Sequence, residues 1–358
     1  MEHRLDPWLV LGVLGILGAS LIQLSVLDRV LGGRLLLRQA IWGAIGLVVL
    51  WIVSRIRTTT LLRLAVPAYA GSILLLVAVL AFGETRSGTR GWFAAGPFTF
   101  QPSELARLGT VLILALWFAN RTGEVLSVRG FLALSALAGL PVGLILLEPD
   151  LGVALTYLPL WGAVLWLAGL PGKAWATLVV LVVLGAAGAW TWGLRPYQKE
   201  RVLTVLDPSR DPYGAGYQVR QSKIAIGSGM ATGRGFGRGP QSLLRFLPAQ
   251  HTDFIFATWG EATGFVGSSL LLGIYALLLW RILLAALHAT TRFGLALATM
   301  IGAWIAFQVV VNLGMVVGWL PTTGITLPLF SYGGSSLLTT CAALGMVISV
   351  GRERLVNL

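Results

Sequence analysis

The chain has 358 residues, of which 56% are hydrophobic and only 11% are charged, and its mean hydropathy is +0.82. This composition excludes a soluble globular protein and indicates a polytopic membrane protein. The formal net charge is +12, but the basic residues are dispersed between apolar runs, which argues against a nucleic-acid partner. The single cysteine, Cys341, excludes an intramolecular disulfide and a cysteine-based metal site.

Apolar runs predict an all-α fold with about ten transmembrane helices, because about 20 apolar residues are needed to cross a bilayer. The predicted spans are residues 8–27, 39–53, 61–82, 102–119, 131–147, 152–170, 174–194, 254–280, 294–320 and 336–350. The first run is longer than the apolar part of a signal peptide, so we interpret it as a retained first helix.

The distribution of Lys and Arg predicts the orientation, since cytoplasmic connections are enriched in both. Alternate tails and short connections hold eleven such residues on one side, namely Arg4, Arg55, Arg57, Arg63, Arg121, Arg129, Lys173, Arg281, Arg292, Arg352 and Arg354. The other side holds five, namely Arg29, Arg34, Arg38, Arg86 and Arg90. Both termini are therefore predicted to be cytoplasmic.

This orientation places a large loop, about residues 195–252, outside the cytoplasm between helices 7 and 8. Residues 83–101, 148–150 and 321–336 fall on the same outer face. A long structureless loop is uncommon in a compact protein, so we expect short helices in it that lie on or dip into the membrane. We also expect the functional site there.

The stretch "QPSELARL" puts an acid and a base at the outer end of the fourth span. Glu104 and Arg107 are three residues apart and therefore share one helical face. Ionisable residues inside a membrane are costly and are often functional. The alternative is a self-neutralising pair that makes Arg107 tolerable in lipid, and spacing alone does not separate the two.

The outer loop is basic, and it contains the glycine run 233–239 with Arg234 and Arg238 between the glycines. Such a run resembles an anion-binding nest, in which backbone N–H groups point at a phosphate. It lacks the spacing of a P-loop. A basic loop lying on the membrane surface is the alternative interpretation.

The loop ends in "FLPAQHTDFIF", which carries His251 and Asp253 just before an apolar run. An Asp at this place is typical of a helix cap. Next to so many cations it also suits a general base that acts on a phosphate-bearing substrate. No zinc-protease motif or serine-nucleophile elbow is present, and the histidines are only three, so zinc hydrolysis and a serine triad are not expected.

Several motifs in family order resemble the SEDS family (shape, elongation, division and sporulation). They are "FQPSEL", "EPDLG", "QSKIAIGSG", "FLPAQHTDFIF" and "LPLFSYGGSS". Within it, "SKIAIGSG" and "NLGMVVGWLPTTGI" are more similar to the RodA branch than to the FtsW branch. The resemblance covers nearly all of the chain and implies one transmembrane domain over residues 1–358.

The resemblance implies a glycosyltransferase of the bacterial cytoplasmic membrane that polymerises lipid II into peptidoglycan glycan strands. It implies a class B penicillin-binding protein as partner. Asp253 falls on the family's catalytic aspartate, and the substrate-binding candidates are Glu104, Arg107, Gln198, Arg201, Lys223, Arg234, Arg238 and His251. No cofactor is identified, although Mg²⁺ or Mn²⁺ on the diphosphate is compatible with this chemistry.

The chain departs from the family pattern at two places. Relatives often carry a second Glu where this chain has Ala262 after Glu261, and many carry Lys where it has Arg107. Two other functions stay open: a lipid II flippase, and a scaffold for a transpeptidase. A flippase needs polar groups along a path through the bilayer, whereas here the ionisable residues concentrate at the outer end.

Overall fold

A computed structural model describes residues 6–86, 88–95, 98–121, 125–207 and 210–356, so Arg4 of the charge count lies outside the described residues. Within these ranges, nine helices are long and apolar enough to cross a membrane. A shorter broken helix occupies the position of the predicted sixth span. The all-α polytopic architecture is therefore confirmed, with that one span interrupted.

The first three helices are α1 (Pro7–Leu31), α2 (Leu35–Arg55) and α3 (Thr58–Phe82). Helix α1 begins at a proline that follows Asp6, whose carboxylate accepts hydrogen bonds from the Trp8 and Leu9 N–H groups at 3.1 and 3.2 Å. This is the arrangement that satisfies the free N–H groups of a first helical turn. Asp6 also forms an ion pair with Arg281 at 2.7 Å, which joins the start of α1 to a later helix.

The connection after α3 forms a small sheet, which the sequence analysis did not predict. Strands β1 (Glu84–Arg86), β2 (Thr89–Ala95) and β3 (Phe98–Phe100) are antiparallel in the order β1-β2-β3. The strands are short and lie between two helices, so they show no long alternating pattern. The Arg90 N–H donates to the Glu148 carbonyl at 3.3 Å, which ties the sheet to the end of the fifth helix.

The middle of the chain contains α4 (Pro102–Ala119), α5 (Val128–Leu147), the broken pair α6 (Leu151–Leu155) and α7 (Leu158–Leu167), and α8 (Gly172–Gly188). A π-helical turn follows α8. Helix α4 is the most buried of the spans, whereas the α8 span buries none of its apolar window against the chain. Helix α8 therefore faces outward, as lipid-exposed helices do.

The predicted outer loop does contain short helices: α9 (Pro196–Leu206), α10 (Ala215–Gly229) and α11 (Pro240–Leu243). Helix α10 packs against the bundle: Ser222 Oγ donates to the Val316 carbonyl at 2.7 Å. A Cβ placed on Gly229 would lie 2.0 Å from the Gly260 carbonyl oxygen, so only glycine permits this close approach.

The last helices are α12 (Ile255–Leu287), α13 (Arg292–Val316) and α14 (Gly334–Val356). Helix α12 is interrupted at Gly264, which has a φ of 65°. Helix α14 has 23 residues and is a full-length span, longer than the short run predicted at 336–350. Helices α4, α13 and α14 are mostly buried and lie in the centre of the bundle, where they hold the polar groups described next.

Candidate active site

Three consecutive backbone carbonyls hold the turn that carries Asp253. The His251 carbonyl accepts the Tyr332 N–H at 2.9 Å, and the Thr252 carbonyl accepts Ser331 Oγ at 2.7 Å. The Asp253 carbonyl accepts the Asn312 side-chain amide at 3.0 Å. These donors come from α13 and from the segment before α14, so distant parts of the chain fix the position of the acid.

The Asp253 carboxylate does not cap α12. The residue at the cap position is Phe254, and the helix has no side-chain cap, so the capping interpretation is wrong. Burial raises the pKa of Asp253 above the ordinary value of Asp, and the nearby Arg201 charge opposes that increase. A raised pKa makes the carboxylate a stronger base, and the group then ionises only at a higher pH than an ordinary Asp.

Arg201 lies on α9, and its Nη1 donates to the Thr322 carbonyl at 3.2 Å. The loop of residues 195–252, predicted to lie on the outer face, therefore brings one of the predicted cations into the neighbourhood of Asp253. Residues 322–324 lie beside the acid, since a Cβ placed on Gly324 would be 3.9 Å from Asp253 Oδ2.

Glu104 and Arg107 form a buried bidentate ion pair with distances of 3.0 and 3.2 Å. Arg107 is fully buried, and its guanidinium stacks over the Trp304 ring at 4.7 Å from the ring centre and over the Tyr157 ring at 5.9 Å. Pairing and stacking offset the cost of placing both charges inside the bundle. The spacing argument correctly placed both residues on one helical face.

The "EPD" turn carries two acids, of which Asp150 interacts with this pair, and the sequence analysis did not select either as a site residue. Asp150 accepts a hydrogen bond from Gln101 Nε2 at 3.1 Å, and burial raises its pKa. The charges of Glu104 and Arg107 act on Asp150 in opposite directions. Glu148 is fully buried, and neither carboxylate oxygen has a hydrogen-bond partner in the described chain.

Residues 322–324 lie between the start of α6, next to Asp150, and the surroundings of Asp253. A Cβ placed on Gly152, two residues after Asp150, would lie 2.2 Å from the Thr323 carbonyl oxygen. On the other side, the same segment contacts Arg201 and Asp253, as described above. The side-chain hydroxyls of Thr322 and Thr323 are buried and lack partners among the described residues. Unpaired buried polar groups of this kind are available to hydrogen-bond a polar ligand or water.

Three other predicted site residues occupy different surroundings. Gln198 Oε1 accepts the Arg195 N–H at 2.9 Å and so closes the first turn of α9. Lys223 is exposed on α10, and its side chain lies against the backbone of Gly318. His251 packs edge-on against Tyr332 with ring centres 5.6 Å apart, and burial lowers its pKa, which favours the neutral imidazole. None of these three makes a hydrogen bond to Asp253 in the described structure.

Several backbone N–H groups of the glycine run 233–239, which was predicted to resemble an anion nest, are used in hydrogen bonds within the chain. The N–H groups of Arg234 and Gly235 donate to the carbonyls of Glu261 and Ala262, both at 3.0 Å, and are not free for a phosphate. The side chains of Arg234 and Arg238 are exposed. The loop is attached to α12 by a sheet-like set of hydrogen bonds that flank the bend at Gly264.

The Glu261 carboxylate has a structural role. It is fully buried and accepts hydrogen bonds from the N–H groups of Gln241 and Ser242 at 2.8 and 3.0 Å, and one from the Ser242 hydroxyl. It thereby anchors the first turn of α11. This contact gives Glu261, the acid of "GEATG", a structural function. The contact does not involve Ala262, which stands where relatives often carry a second acid.

The described residues contain no group of three or more His, Cys, Asp or Glu side chains that could hold a metal ion.

The sequence analysis did not select Asn312, Gln101 and Glu148, which lie next to other site residues and support them. Their sequence signal is weak but present. Asn312 is one of few polar residues within the predicted spans, and Glu148 lies in the short acidic turn between two predicted spans.

Comparisons with known proteins agree with this architecture. A family model described as cell cycle protein FtsW/RodA/SpoVE matches residues 4–355. The peptidoglycan glycosyltransferase MrdB of Escherichia coli strain K12 is 39% identical over 98% of this chain and 94% of its own length. The probable peptidoglycan glycosyltransferase FtsW of Coxiella burnetii is 36% identical over 97% of this chain and 96% of its own length.

Two solved structures are similar over 98% of both chains. A chain from a structure concerned with polymerisation and cross-linking by a peptidoglycan synthase complex has a TM-score of 0.84 and 38% identity. The crystal structure of the rod shape determining protein RodA of Thermus thermophilus has a TM-score of 0.73 and 34% identity. The relatives include both FtsW and MrdB at similar identities, so assignment to one branch stays a prediction. The chain is a multi-pass membrane protein that belongs to the FtsW/RodA/SpoVE family, which is the SEDS family.

Proposed function

We propose that this chain is a peptidoglycan glycosyltransferase that polymerises lipid II into β-1,4-linked glycan strands, with Asp253 as the catalytic base. The observation that carries the proposal is the Asp253 turn. Three carbonyls fix it, burial raises the pKa of its acid, and Arg201 lies nearby. The peptidoglycan glycosyltransferases named above, which resemble the chain over nearly its whole length, support the same reaction class.

The reaction joins the acceptor's sugar hydroxyl to the anomeric carbon of the donor. The hydroxyl proton goes to Asp253 as the new C–O bond forms, and the bond from the anomeric carbon to the diphosphate breaks. Attack from the face opposite the leaving group converts an α-linked donor into a β-linked product, as in inverting sugar chemistry. The electron pair of the broken bond leaves with the polyprenyl diphosphate, so cations contribute most at that end.

Arg201 is the cation best placed for this role, because it lies beside the same segment as Asp253. Asp150 interacts electrostatically with the Glu104–Arg107 pair, and we assign these three residues to binding the sugar or diphosphate. Lys223, Arg234 and Arg238 are exposed outer-loop cations and serve as secondary contacts to phosphate. Gln198 and His251 position the segments that carry Arg201 and Asp253.

We place the chain in the bacterial cytoplasmic membrane with both termini in the cytoplasm, on the basis of its Lys and Arg distribution. The active site then faces outward, where lipid II is presented. The resemblance of "SKIAIGSG" to the RodA branch favours a role in cell elongation. A class B penicillin-binding protein is the proposed partner, and the similar chain in a peptidoglycan synthase complex supports it.

A divalent cation such as Mg²⁺ or Mn²⁺ is proposed as an aid to the diphosphate. Mg²⁺ bound to phosphates keeps several waters and uses only one or two protein carboxylates. Such a cation needs no cluster of three protein ligands. Activity with and without chelator measures this contribution directly.

The test is polymerisation of labelled lipid II by the purified protein, with and without its proposed partner, comparing wild type with Asp253→Asn. Loss of a general base lowers the rate by about 10²- to 10⁴-fold. Asn has nearly the same size and keeps the backbone contacts of the turn. Melting in detergent should show equal stability for the two proteins.

Equal rates of glycan synthesis by both proteins would overturn the role of Asp253. If folded wild type with the partner makes no glycan, the polymerase assignment itself fails. The flippase or scaffold function would then be tested by lipid II transport and by the partner's cross-linking activity.

A further inference from the structure

A groove opens between the outer half of α1 and the glycine loop 233–239, away from Asp253. Its volume is about 370 Å³. The helix side contributes Ile22, Val26 and Val30, which are spaced four residues apart and form one apolar stripe. The opposite side contributes Phe236 of the glycine loop and Leu243 of α11, both of which are substantially exposed. The groove is therefore an apolar channel at the surface of the bundle.

The loop wall of this groove is fixed in place. The N–H groups of Phe265 and Val266 donate to the carbonyls of Met230 and Ala231 at 2.8 and 3.0 Å, in addition to the two bonds made by Arg234 and Gly235. Phe236 packs on the Trp259 ring with ring centres 5.8 Å apart. A glycine loop that is hydrogen-bonded to α12 in this way serves as a wall, and its aromatic residue is held toward the groove.

One end of the groove is strongly basic. Arg29 lines it, is exposed, and has no hydrogen bond or ion pair to any described residue. Arg34, Arg38 and Arg245 are also exposed on this end of the molecule, and the Arg245 guanidinium donates to the Val30 carbonyl. The adjacent acid, Asp28, accepts the Leu35 N–H at 2.7 Å, which uses its oxygen Oδ1.

We propose that this groove binds the polyprenyl diphosphate released by each glycosyl transfer, with the prenyl chain along the α1 stripe and the diphosphate at Arg29. The inference rests on the proposed function, because that reaction supplies the ligand. The groove matches the two halves of such a molecule, since its apolar lining lies next to the Arg29 guanidinium, with Arg245 on the adjacent Val30 carbonyl. The groove gives the polyprenyl diphosphate a path along the membrane-facing surface of the protein.

The lining favours a lipid diphosphate over a lipid-linked sugar. Apart from Arg29, the only side chain in the lining that can form a hydrogen bond is Ser25. A disaccharide-peptide would leave its many polar groups unpaired in such a groove. A diphosphate also carries more negative charge than the phosphodiester of a phospholipid, and so it suits several arginines better.

The test uses a photoreactive farnesyl diphosphate analogue on the purified full-length protein, followed by peptide mapping. Labelling is expected in residues 22–30 and 236–243. Arg29→Gln should weaken farnesyl diphosphate binding by about tenfold, because it removes one charge-assisted contact. The matched control is Arg129→Gln, which removes an exposed arginine near the opposite end of the bundle and should leave binding unchanged.

A second variant, Val26→Trp, fills the apolar stripe and should reduce labelling while Arg29 stays in place. Phosphatidylglycerol in mixed micelles should compete poorly. Labelling confined to other helices, equal binding by Arg29→Gln and wild type, or equal competition by phosphatidylglycerol would each overturn the proposal. The assay needs no polymerisation, so its result is independent of whether Asp253 is the base.

Discussion

Two acids of this protein, the buried Glu104 and the partly buried Asp253, have charges that are balanced in different ways. Glu104 is neutralised by two hydrogen bonds from Arg107 on its own helix. Asp253 has its backbone fixed by distant residues, and burial raises the pKa of its side chain. Glu104 is therefore neutralised inside the bundle by its own helix, whereas the Asp253 carboxylate stays available for reaction.

The largest expected effect comes from breaking the pair. Arg107→Met leaves Glu104 buried without its cation, which should lower the free energy of unfolding by about 3–5 kcal/mol. Melting in detergent measures the loss. The double variant Glu104→Leu/Arg107→Met removes both charges and should recover most of the stability, because a buried pair can be replaced by apolar residues of similar size.

Polymerisation by that double variant then decides what the pair does. A stable but inactive double variant would assign the pair a role in substrate binding. Full activity would show that it only neutralises itself, and our assignment would fail.

The next effect concerns how Asp253 is held. Asn312→Ala removes the amide that donates to the Asp253 and Ile325 carbonyls, and should lower kcat by about tenfold with a smaller change in KM. Gln308→Ala is the matched control, since Gln308 is a buried amide one turn earlier on α13. Equal losses in both variants would indicate general destabilisation instead of positioning.

The acid limb of the pH–rate profile tests the environment of Asp253. A base must be ionised, so activity should fall as the pH decreases through its pKa, and burial puts this fall above the range of an ordinary Asp. The Arg201 charge lowers the pKa of Asp253, so Arg201→Gln should move the acid limb to higher pH. Arg210→Gln, at an exposed arginine in the same loop, should leave the limb in place.

The smallest effect is predicted at Glu148. Burial and the neighbouring Asp150 raise the pKa of this acid to about 8. The acid is neutral in the folded state at pH 7 but ionised in the unfolded state. Its contribution to stability is therefore complete below about pH 4.5 and is lost as the pH rises to about 8. Glu148→Gln should melt a few degrees higher than wild type at pH 8.5 and nearly equally at pH 5. An unchanged difference across this range would contradict the assignment.

Local sequence patterns predicted much of the site. Proline at the start of α4 and the three-residue spacing placed Glu104 and Arg107 correctly, because neighbours on a helix follow from its period. The same reasoning did not predict the contacts of the glycine run 233–239. Its Arg234 and Gly235 N–H groups donate to carbonyls of α12, a helix that begins 16 residues later in the chain. A local pattern contains no information about such a partner.

By itself, the sequence determined that the chain is helical and crosses a membrane many times, because apolar run length and charge distribution depend only on transfer from water to lipid. It also pointed to Asp253 through the motif that carries it. Only the tertiary structure decided that this acid is held by Asn312, Ser331 and Tyr332 and does not cap a helix. It alone brought Asp150 beside Arg107 and Arg29 to the end of an apolar groove, since packing sets contacts between residues far apart in the chain.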